Sequence, residues 1–335
     1  MKSLQIHGKL DMRLEEVPLS EPNQEEVRIK VSFVGICGSD LHYYYEGANG
    51  AFVVKEPLTP GHELSGVVDV DPQGILNKGT KVTVHPAKFG PSKPGLEDAK
   101  HLRLGGSYLG SASTTPHTQG AMSEYLNLDR SMLRVIPDGL TLENAALAEP
   151  LAVGLHAINI AGGVKGKKVL VSGSGPIGLL AVAAAKLQGA VEIIATDVLD
   201  RPLSRAKDLG ATSIIKIGTE AIPEEYFDVV LECSGAQRAI SAAIKASKRL
   251  GIVVQVGMLS AGEHSIELAP LISKEVQLRG TFRFNDEIDD AILVLDQNPW
   301  IGKVVTHTFE INEAIKGFEV AKNSQESGKV LISFE

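Results

Sequence analysis

At 335 residues the chain is longer than one ordinary hydrophobic core supports, which points to two domains. Its composition, 43% hydrophobic and 22% charged, is that of a water-soluble globular protein, and a net charge of −8 excludes nucleic acid or an anionic membrane as a main partner. Two cysteines, Cys37 and Cys233, leave no disulfide framework, and the start Met1-Lys2-Ser3-Leu4-Gln5 has no apolar signal core, so a cytoplasmic setting is expected.

Residues 1 to 147 read as mostly β. Alternating runs (Arg13 to Val17, Leu64 to Val70, Lys81 to His85, Met122 to Asn127) are punctuated by Pro and Gly, which predicts a barrel-like antiparallel domain. Ahead of Cys37, Val27, Ile29, Val31 and Phe33 share one face and Glu26, Arg28, Lys30 and Ser32 the other, the pattern of a half-buried strand. Cys37 therefore stands where a strand has just ended, and Ser39 and Asp40 are placed to cap a short helix through Leu41 to Tyr45. Downstream, Pro60-Gly61-His62-Glu63 sets an imidazole beside a carboxylate. Thiol, imidazole and carboxylate are zinc-ligand types. On spacing alone, a buried thiol and a surface His-Glu pair are the commoner readings. Lys88 to Gln119 is a long polar loop rich in Gly, Pro, Ser and Thr, of a length usually functional or mobile.

The character changes at Thr141 to Leu147, a capped helix, followed by Glu149-Pro150 with Pro150 placed to open the helix Leu151 to Ile160. From there strands alternate with helices: Lys168 to Ser172, Pro176 to Gln188, Val191 to Thr196, Arg201 to Leu209, Ile214 to Ile217, Asp228 to Cys233, Ala236 to Ser247, Ile252 to Val256 and Val276 to Thr281. Continuous β-branched runs separated by amphipathic helices predict a parallel sheet covered on both faces. The apolar stretch Val169 to Leu187 is broken by Gly173, Ser174, Gly175, Pro176 and Gly178, so it reads as strand, turn and buried helix, and not as a membrane span.

That turn fits G-x-G-x-x-G with a strand before it and a helix after it. Gly173 permits the tight turn, Gly175 lets the backbone approach a pyrophosphate, and Gly178 allows close helix–strand packing, while Pro176 and Ile177 open a helix whose free N–H groups favour phosphate. Asp197, 19 residues after Gly178, is placed to accept from a ribose 2′-hydroxyl and to repel a 2′-phosphate, so NAD is favoured over NADP. Arg201, four residues on, either covers the adenine or reaches toward a phosphate. Cys233, Val256 and Phe282, at or just beyond strand ends, complete the expected cofactor contacts. Past Phe284 the alternation stops, and the tail is expected to return to the first domain. The expected division is 1–147 with 285–335, and 148–284 for the nucleotide domain.

Five motifs in order, Gly35 to His42, Pro60 to Gly66, Glu149 to Val153, the glycine turn and Leu278 to Phe284, make the sequence resemble the zinc-dependent medium-chain dehydrogenase/reductase superfamily over essentially its whole length. Within it, the branch of sorbitol, xylitol and L-idonate dehydrogenases looks most similar. The resemblance implies a GroES-like barrel-type β domain joined to a Rossmann doubly wound parallel sheet. It implies that Cys37, His62 and one or both of Glu63 and Glu149 hold one catalytic zinc, and that Ser39 takes the alcohol proton with His42 as its outlet to solvent. The competing readings are a helix cap for Ser39 and a surface imidazole for His42. Relatives often carry a structural zinc in a cysteine-rich lobe, but Lys88 to Gln119 contains no cysteine, so that site is expected to be absent, with His101 and His117 solvent-exposed. Gly79-Thr80-Lys81-Val82 departs from the superfamily's Gly-Asp-x-Val, which touches a turn near the barrel mouth. His156 is expected to be a packed helix residue. The substrate would be a small sugar acid or polyol oxidised at a secondary hydroxyl, bound in a cleft between the domains by Tyr43, Tyr44 and Arg283, with L-idonate first. L-threonine, or a non-catalytic nucleotide-binding role, is the alternative. A homo-oligomer, dimer or tetramer, is implied by resemblance alone.

Overall fold

The computed structural model describes residues 1–260 and 262–335. The chain forms two units: Met1–Glu149 with Ile288–Asn323 and Lys329–Glu335, and Pro150–Glu287 with Ser324–Gly328.

The first unit opens with a hairpin, β1 (Lys2–Gly8) and β2 (Asp11–Glu16). Next come β3 (Glu26–Gly35), helix α1 (Gly38–Glu46), β4 (Glu63–Val70), β5 (Lys81–Val84), β6 (Tyr125–Asp129) and β7 (Leu133–Val135). Val27, Ile29 and Val31 of β3 are buried, as the alternation predicts. Arg28 and Ser32, on the expected polar face, are buried too, and Phe33 is only half-buried. The guanidinium of Arg28 tolerates this because it donates to Asp69 at 2.8 Å and to Glu21 at 3.1 Å, which keeps its charge matched away from water. The strand expected at Met122 to Asn127 starts later, at Tyr125. Residues 120–122 instead bond the Thr59–Gly61 segment, with Gly120 N, Met122 N and Ala121 N donating to Thr59 O, Pro60 O and Gly61 O at 2.7, 3.0 and 2.9 Å.

The turn at Leu142–Ala145 is capped by Thr141, whose hydroxyl accepts Asn144 N at 3.2 Å. Helix α2 (Ala148–Ile160) then leads into the second unit, with Pro150 in its first turn, where a missing N–H costs nothing. The sheet there is built from β8 (Lys168–Ser172), β9 (Glu192–Asp197), β10 (Ser213–Lys216), β11 (Phe227–Glu232), β12 (Ser247–Gln255) and β13 (Gln277–Gly280). Helices α3 (Pro176–Leu187), α4 (Asp200–Asp208) and α5 (Gln237–Ala246) connect them. The six strands are parallel in the order β10-β9-β8-β11-β12-β13, the doubly wound order with a switch between β8 and β11. Val169, Leu170, Val171, Val229, Val230, Leu231, Val253 and Val254 are fully buried, as β-branched and leucine runs covered on two faces must be.

The chain leaves this unit at α6 (Glu287–Gln297) and adds β14 (Val305–Glu310), α7 (Ala314–Lys322) and β15 (Lys329–Ser333) to the first. The first unit's seven-stranded sheet then runs β7-β5-β4-β3-β15-β14, with β6 also paired to β3. No described helix is long and apolar enough to cross a membrane.

His156 is packed, as expected, and it also carries a partner. Its Nδ1 lies 2.7 Å from Glu287 Oε1, which also accepts Asn159 Nδ2 at 3.0 Å. Burial works against the Glu287 carboxylate, but the hydrogen bonds from His156 and Asn159 and the His156 charge prevail, holding its pKa near about 2. A depressed carboxylate pKa gives stability that is present above the unfolded value and lost as pH falls through the folded one. Glu287→Gln is therefore expected to destabilise the protein at pH 7 by about 3 kcal/mol, from the shift below the ordinary glutamate value. Denaturant titrations should show the gap between variant and parent closing as pH drops from about 4.5 toward 2. A gap that persists unchanged in acid would mean that the carboxylate charge is not what stabilises.

Candidate active site

Helix α1 starts from Cys37, which keeps extended backbone angles. Cys37 is itself the N-cap, and Asp40, three residues on, closes the capping box in place of Ser39: Asp40 Oδ2 accepts Cys37 N at 2.9 Å. The other oxygen, Oδ1, accepts Gly61 N at 3.0 Å, so one fully buried carboxylate ties the turn carrying Cys37 to the turn carrying His62. Gly61 has φ +96, and a Cβ there would press on Val34 and Met122, so the turn needs glycine. Glu63 stands opposite Gly35 in the β3–β4 register, and a Cβ on Gly35 would overlap Glu63 Oε2. Gly35 thus leaves the space that the Glu63 carboxylate fills, and Gly61 makes the turn that carries His62.

The ligand atoms of Cys37, His62 and Glu63 all lie within 4.8 Å of one another, the one such group of three or more metal-binding side chains among the described residues. His62 Nδ1 and Glu63 Oε2 are buried and lack a hydrogen-bond partner. Glu63 also has a partner that sequence reasoning missed. Lys329, fully buried on β15, places Nζ 2.7 Å from Oε1 and 2.6 Å from Oε2, and donates to Ile36 O at 3.1 Å. Its geometry satisfies Oε1 as a hydrogen bond, whereas Oε2 gains only proximity of charge. The available sequence signal was a lysine opening the apolar run Val330 to Ile332, since such a residue needs an anion if the strand is interior.

Glu149 lies outside the triad. Tyr108, from the long loop, donates to Glu149 Oε1 at 2.5 Å and packs edge-on to His62 at 5.4 Å between ring centroids. Burial pushes the Glu149 carboxyl above its ordinary range, His62 opposes that, and Glu63 adds to it. For His62, burial disfavours the charged ring, but the adjacent Cys37 sulfur, with Asp40 and Glu149, prevails and raises its pKa to about 10. Lys329 resists the same burial because Glu63 and Cys37 hold its charge. Sulfur, nitrogen and oxygen donors converge where two buried polar atoms, His62 Nδ1 and Glu63 Oε2, lack hydrogen-bond partners. That is a donor set that fits zinc.

The other expected site residues are placed unequally. Ser39 is half-buried on the Cys37 turn, and His42 is exposed, 3.4 Å from Glu46 one helical turn on. Tyr43 does not face an opening: it is fully buried, its hydroxyl accepting Ala112 N at 3.1 Å and lying 3.4 Å from Ser111 Oγ, so it braces the loop. Tyr44 packs edge-on to Phe318 at 5.7 Å. Arg283 has φ +52 and holds its guanidinium 4.7 Å from the Phe282 ring centroid. His117, expected in solvent, is buried, with Nε2 accepting Lys55 N at 3.0 Å and Nδ1 2.9 Å from Thr114 O. Both ring nitrogens are used in holding the loop. His101 is half-buried.

In the second unit Gly173 has φ +91, and a Cβ on Gly178 would overlap Gly173 O. Gly175 caps α3 with open space before it, followed by Pro176 at the first helical position and then Ile177. Open space before the free N–H groups of a long helix fits a pyrophosphate. Asp197 Oδ2 accepts Ser174 N at 2.9 Å and Oδ1 accepts Leu199 N at 3.0 Å, so this carboxylate shapes the glycine turn and still has lone pairs for a ribose. Arg201 and Phe282 are exposed, and Val256 N donates to Glu232 O at 2.8 Å. Cys233 is half-buried at the end of β11, where burial, reinforced by Glu232, pushes its thiol pKa far up and leaves it unreactive.

Residues 23–138 match the alcohol dehydrogenase GroES-like domain, and residues 176–297 match the zinc-binding dehydrogenase family. Sorbitol dehydrogenase of Bos taurus is 37% identical over 96% of this chain and 92% of its own. The chain belongs to the zinc-binding dehydrogenases. L-idonate 5-dehydrogenase (NAD(P)(+)) of Escherichia coli K12 is 35% identical, covering 87% of this chain and 86% of that one. The crystal structure of the Escherichia coli L-idonate 5-dehydrogenase matches with a TM-score of 0.93 at 32% identity, over 99% of this chain and 98% of the other. A zinc-binding dehydrogenase from Sinorhizobium meliloti bound to NADP matches at 0.89 and 26%, over 99% of this chain and 98% of the other. As a member of this family the chain is a zinc-dependent dehydrogenase acting on CH–OH with a nicotinamide cofactor, built on a GroES-like unit and a Rossmann unit.

The Cys37 sulfur, with Asp40 and Glu149, favours a protonated His62 in the metal-free site, so a metal taken up here must displace that proton and any on the Cys37 thiol. Apparent zinc affinity, measured by chelator competition, is expected to rise between about pH 6 and about pH 8, by about tenfold per pH unit for each proton displaced. Affinity that does not change with pH would show that neither ligand loses a proton on binding and would overturn this donor set.

Proposed function

We propose that this dehydrogenase oxidises a secondary hydroxyl of a sugar acid or polyol with NAD, and that L-idonate, oxidised at carbon 5, is its first candidate substrate. The observation that carries the substrate class is the joint similarity to sorbitol dehydrogenases and to L-idonate 5-dehydrogenase, the latter in sequence and in fold, with a TM-score of 0.93. In this reading Cys37, His62 and Glu63 hold the zinc, with Glu149 behind them on Tyr108. Bound there, zinc would supply a Lewis acid that lowers the pKa of an alcohol toward neutrality, and NAD would supply the hydride acceptor. Ser39 takes the hydroxyl proton and passes it to His42, whose exposure opens the route to solvent. Arg283 engages hydroxyls or a carboxylate of the substrate with its planar donor fork.

A panel of aldonates, polyols and threonine, followed by NADH absorbance, tests the substrate. L-Idonate is expected to turn over fastest, and Arg283→Ala is expected to raise its KM about thirtyfold, from the loss of a charged hydrogen bond of about 2 kcal/mol, while zinc and NAD binding hold. Turnover of 2-propanol as fast as of L-idonate would overturn a polar pocket, and preference for threonine would move the chain to that branch.

NAD preference is supported by Asp197 at the end of β9, where a 2′-phosphate would meet a carboxylate already fixed by Ser174 N. Asp197→Ser is expected to narrow the gap between NAD and NADP in kcat/KM, chiefly by lowering KM for NADP. A parent enzyme already faster with NADP would give the deciding role to Arg201.

A further inference from the structure

Glu232 ends β11 and is fully buried. Its Oε1 accepts Ser234 N at 3.0 Å and the Ser234 hydroxyl; Oε2 accepts Gly235 N at 3.0 Å and Gln255 Nε2 at 2.6 Å. Three of these four donors are N–H groups that can only donate, so both carboxylate oxygens serve as acceptors. Among the other buried carboxylates, Glu63 has Lys329 and Asp71 has Arg130, whereas Asp40, like Glu232, is held by N–H groups. Glu232 has no ion-pair partner among the described residues. Burying a charge without an ion-pair partner is costly, and the hydrogen bonds that offset the cost also fix where the carboxylate stands.

The position of this charge gives it a use. β11 opens the second half of the sheet and pairs with β8, which carries the glycine turn, so Glu232 stands at the topological switch where a dinucleotide lies across the strand ends. The first half, with Gly173, Gly175, Gly178 and Asp197, suits the pyrophosphate and the adenosine ribose. The carboxyl end of β11 is left to border the nicotinamide nucleotide. The loops after β11 and β12 are in backbone contact there: a Cβ on Gly235 would overlap Met258 O, and one on Gly257 would overlap Gly235 N. Gln255 Nε2 also donates to Gly257 O at 2.8 Å, which locks the amide that holds the carboxylate. The charge is thus fixed in place and shielded from water.

We propose that Glu232 sets the redox-state preference of the cofactor site, favouring the oxidised nicotinamide, whose ring is a cation, over the reduced ring, which is neutral. The proposal rests on reading this unit as a nicotinamide dinucleotide site. Its consequence is faster exchange of reduced for oxidised cofactor after each turnover, because the charge that helps the ring bind loses its partner when the ring gains a hydride.

The test is the ratio Kd(NAD+)/Kd(NADH), with NADH measured by its fluorescence and NAD+ by competition, on the zinc-loaded enzyme. Glu232→Gln removes the charge at nearly constant shape and is expected to raise that ratio about fivefold, and Glu232→Asp is expected to stay near the parent. Gln255→Lys leaves the carboxylate in place and sets a cation against it, so it should raise the ratio in the same direction and decides alone if Glu232→Gln does not fold. Loss of affinity for both forms by the same factor in the folded variants, or an unchanged ratio, would make Glu232 a loop staple and overturn the proposal. Failure of the parent to bind either form would overturn the dinucleotide reading itself, a result separate from any change in ratio.

Discussion

The buried pair between Glu63 and Lys329 is the constraint on which the metal site depends. Removing a carboxylate and an ammonium from water costs several kcal/mol each, which only close geometry and further hydrogen bonds offset. Here the ammonium reaches both carboxylate oxygens and a carbonyl, Ile36 O, while Ile36 N donates to Val330 O at 3.0 Å. The strand that brings the cation is thus bonded to the turn that brings the thiol. With Glu63 compensated by Lys329, the buried Glu149 carboxyl, which burial and Glu63 both push up, meets less repulsion. Removing Lys329 would leave a buried carboxylate without its charge partner, a larger loss than removing the whole pair.

Carboxylates that collect backbone N–H groups are the second recurring device. Asp40 joins Cys37 N to Gly61 N in one unit, and Glu232 joins Ser234 N and Gly235 N to the Gln255 amide in the other. Asp197 does the same for the glycine turn. Charge-assisted hydrogen bonds are shorter and stronger than neutral ones, so one side chain can fix two loops whose backbone is not satisfied by strand pairing.

What was legible in the sequence was what short-range chemistry decides. The strand leading to Cys37, the capped turn at Thr141, the alternation of the second unit and the glycine turn before Pro176 all follow from periodicity and from residues a few positions apart. What was not legible depended on distant partners. Ser39 and Asp40 are equivalent as capping types, and the buried Gly61 N–H decides between them. Arg28 looked solvated until Asp69 met it, Tyr43 looked available until Ala112 N used its hydroxyl, and His117 looked exposed until Lys55 N reached its ring. Lys329 is the extreme case, since nothing near it in sequence announces Glu63.

The tail's return to the first unit has a consequence for biosynthesis. Lys329 follows Glu63 by 266 residues, and β15 fills the sheet position between β3 and β14. At about 5–20 residues per second, the ribosome leaves Cys37, His62 and Glu63 outside its tunnel for tens of seconds before their counter-cation is made. Through that interval the nascent first unit lacks β15 and β14, the strands at one end of its sheet, while the second unit has everything its sheet needs once β13 emerges. The nucleotide-binding half can thus fold during translation, and the metal-binding half, although its ligands are made first, is expected to close last.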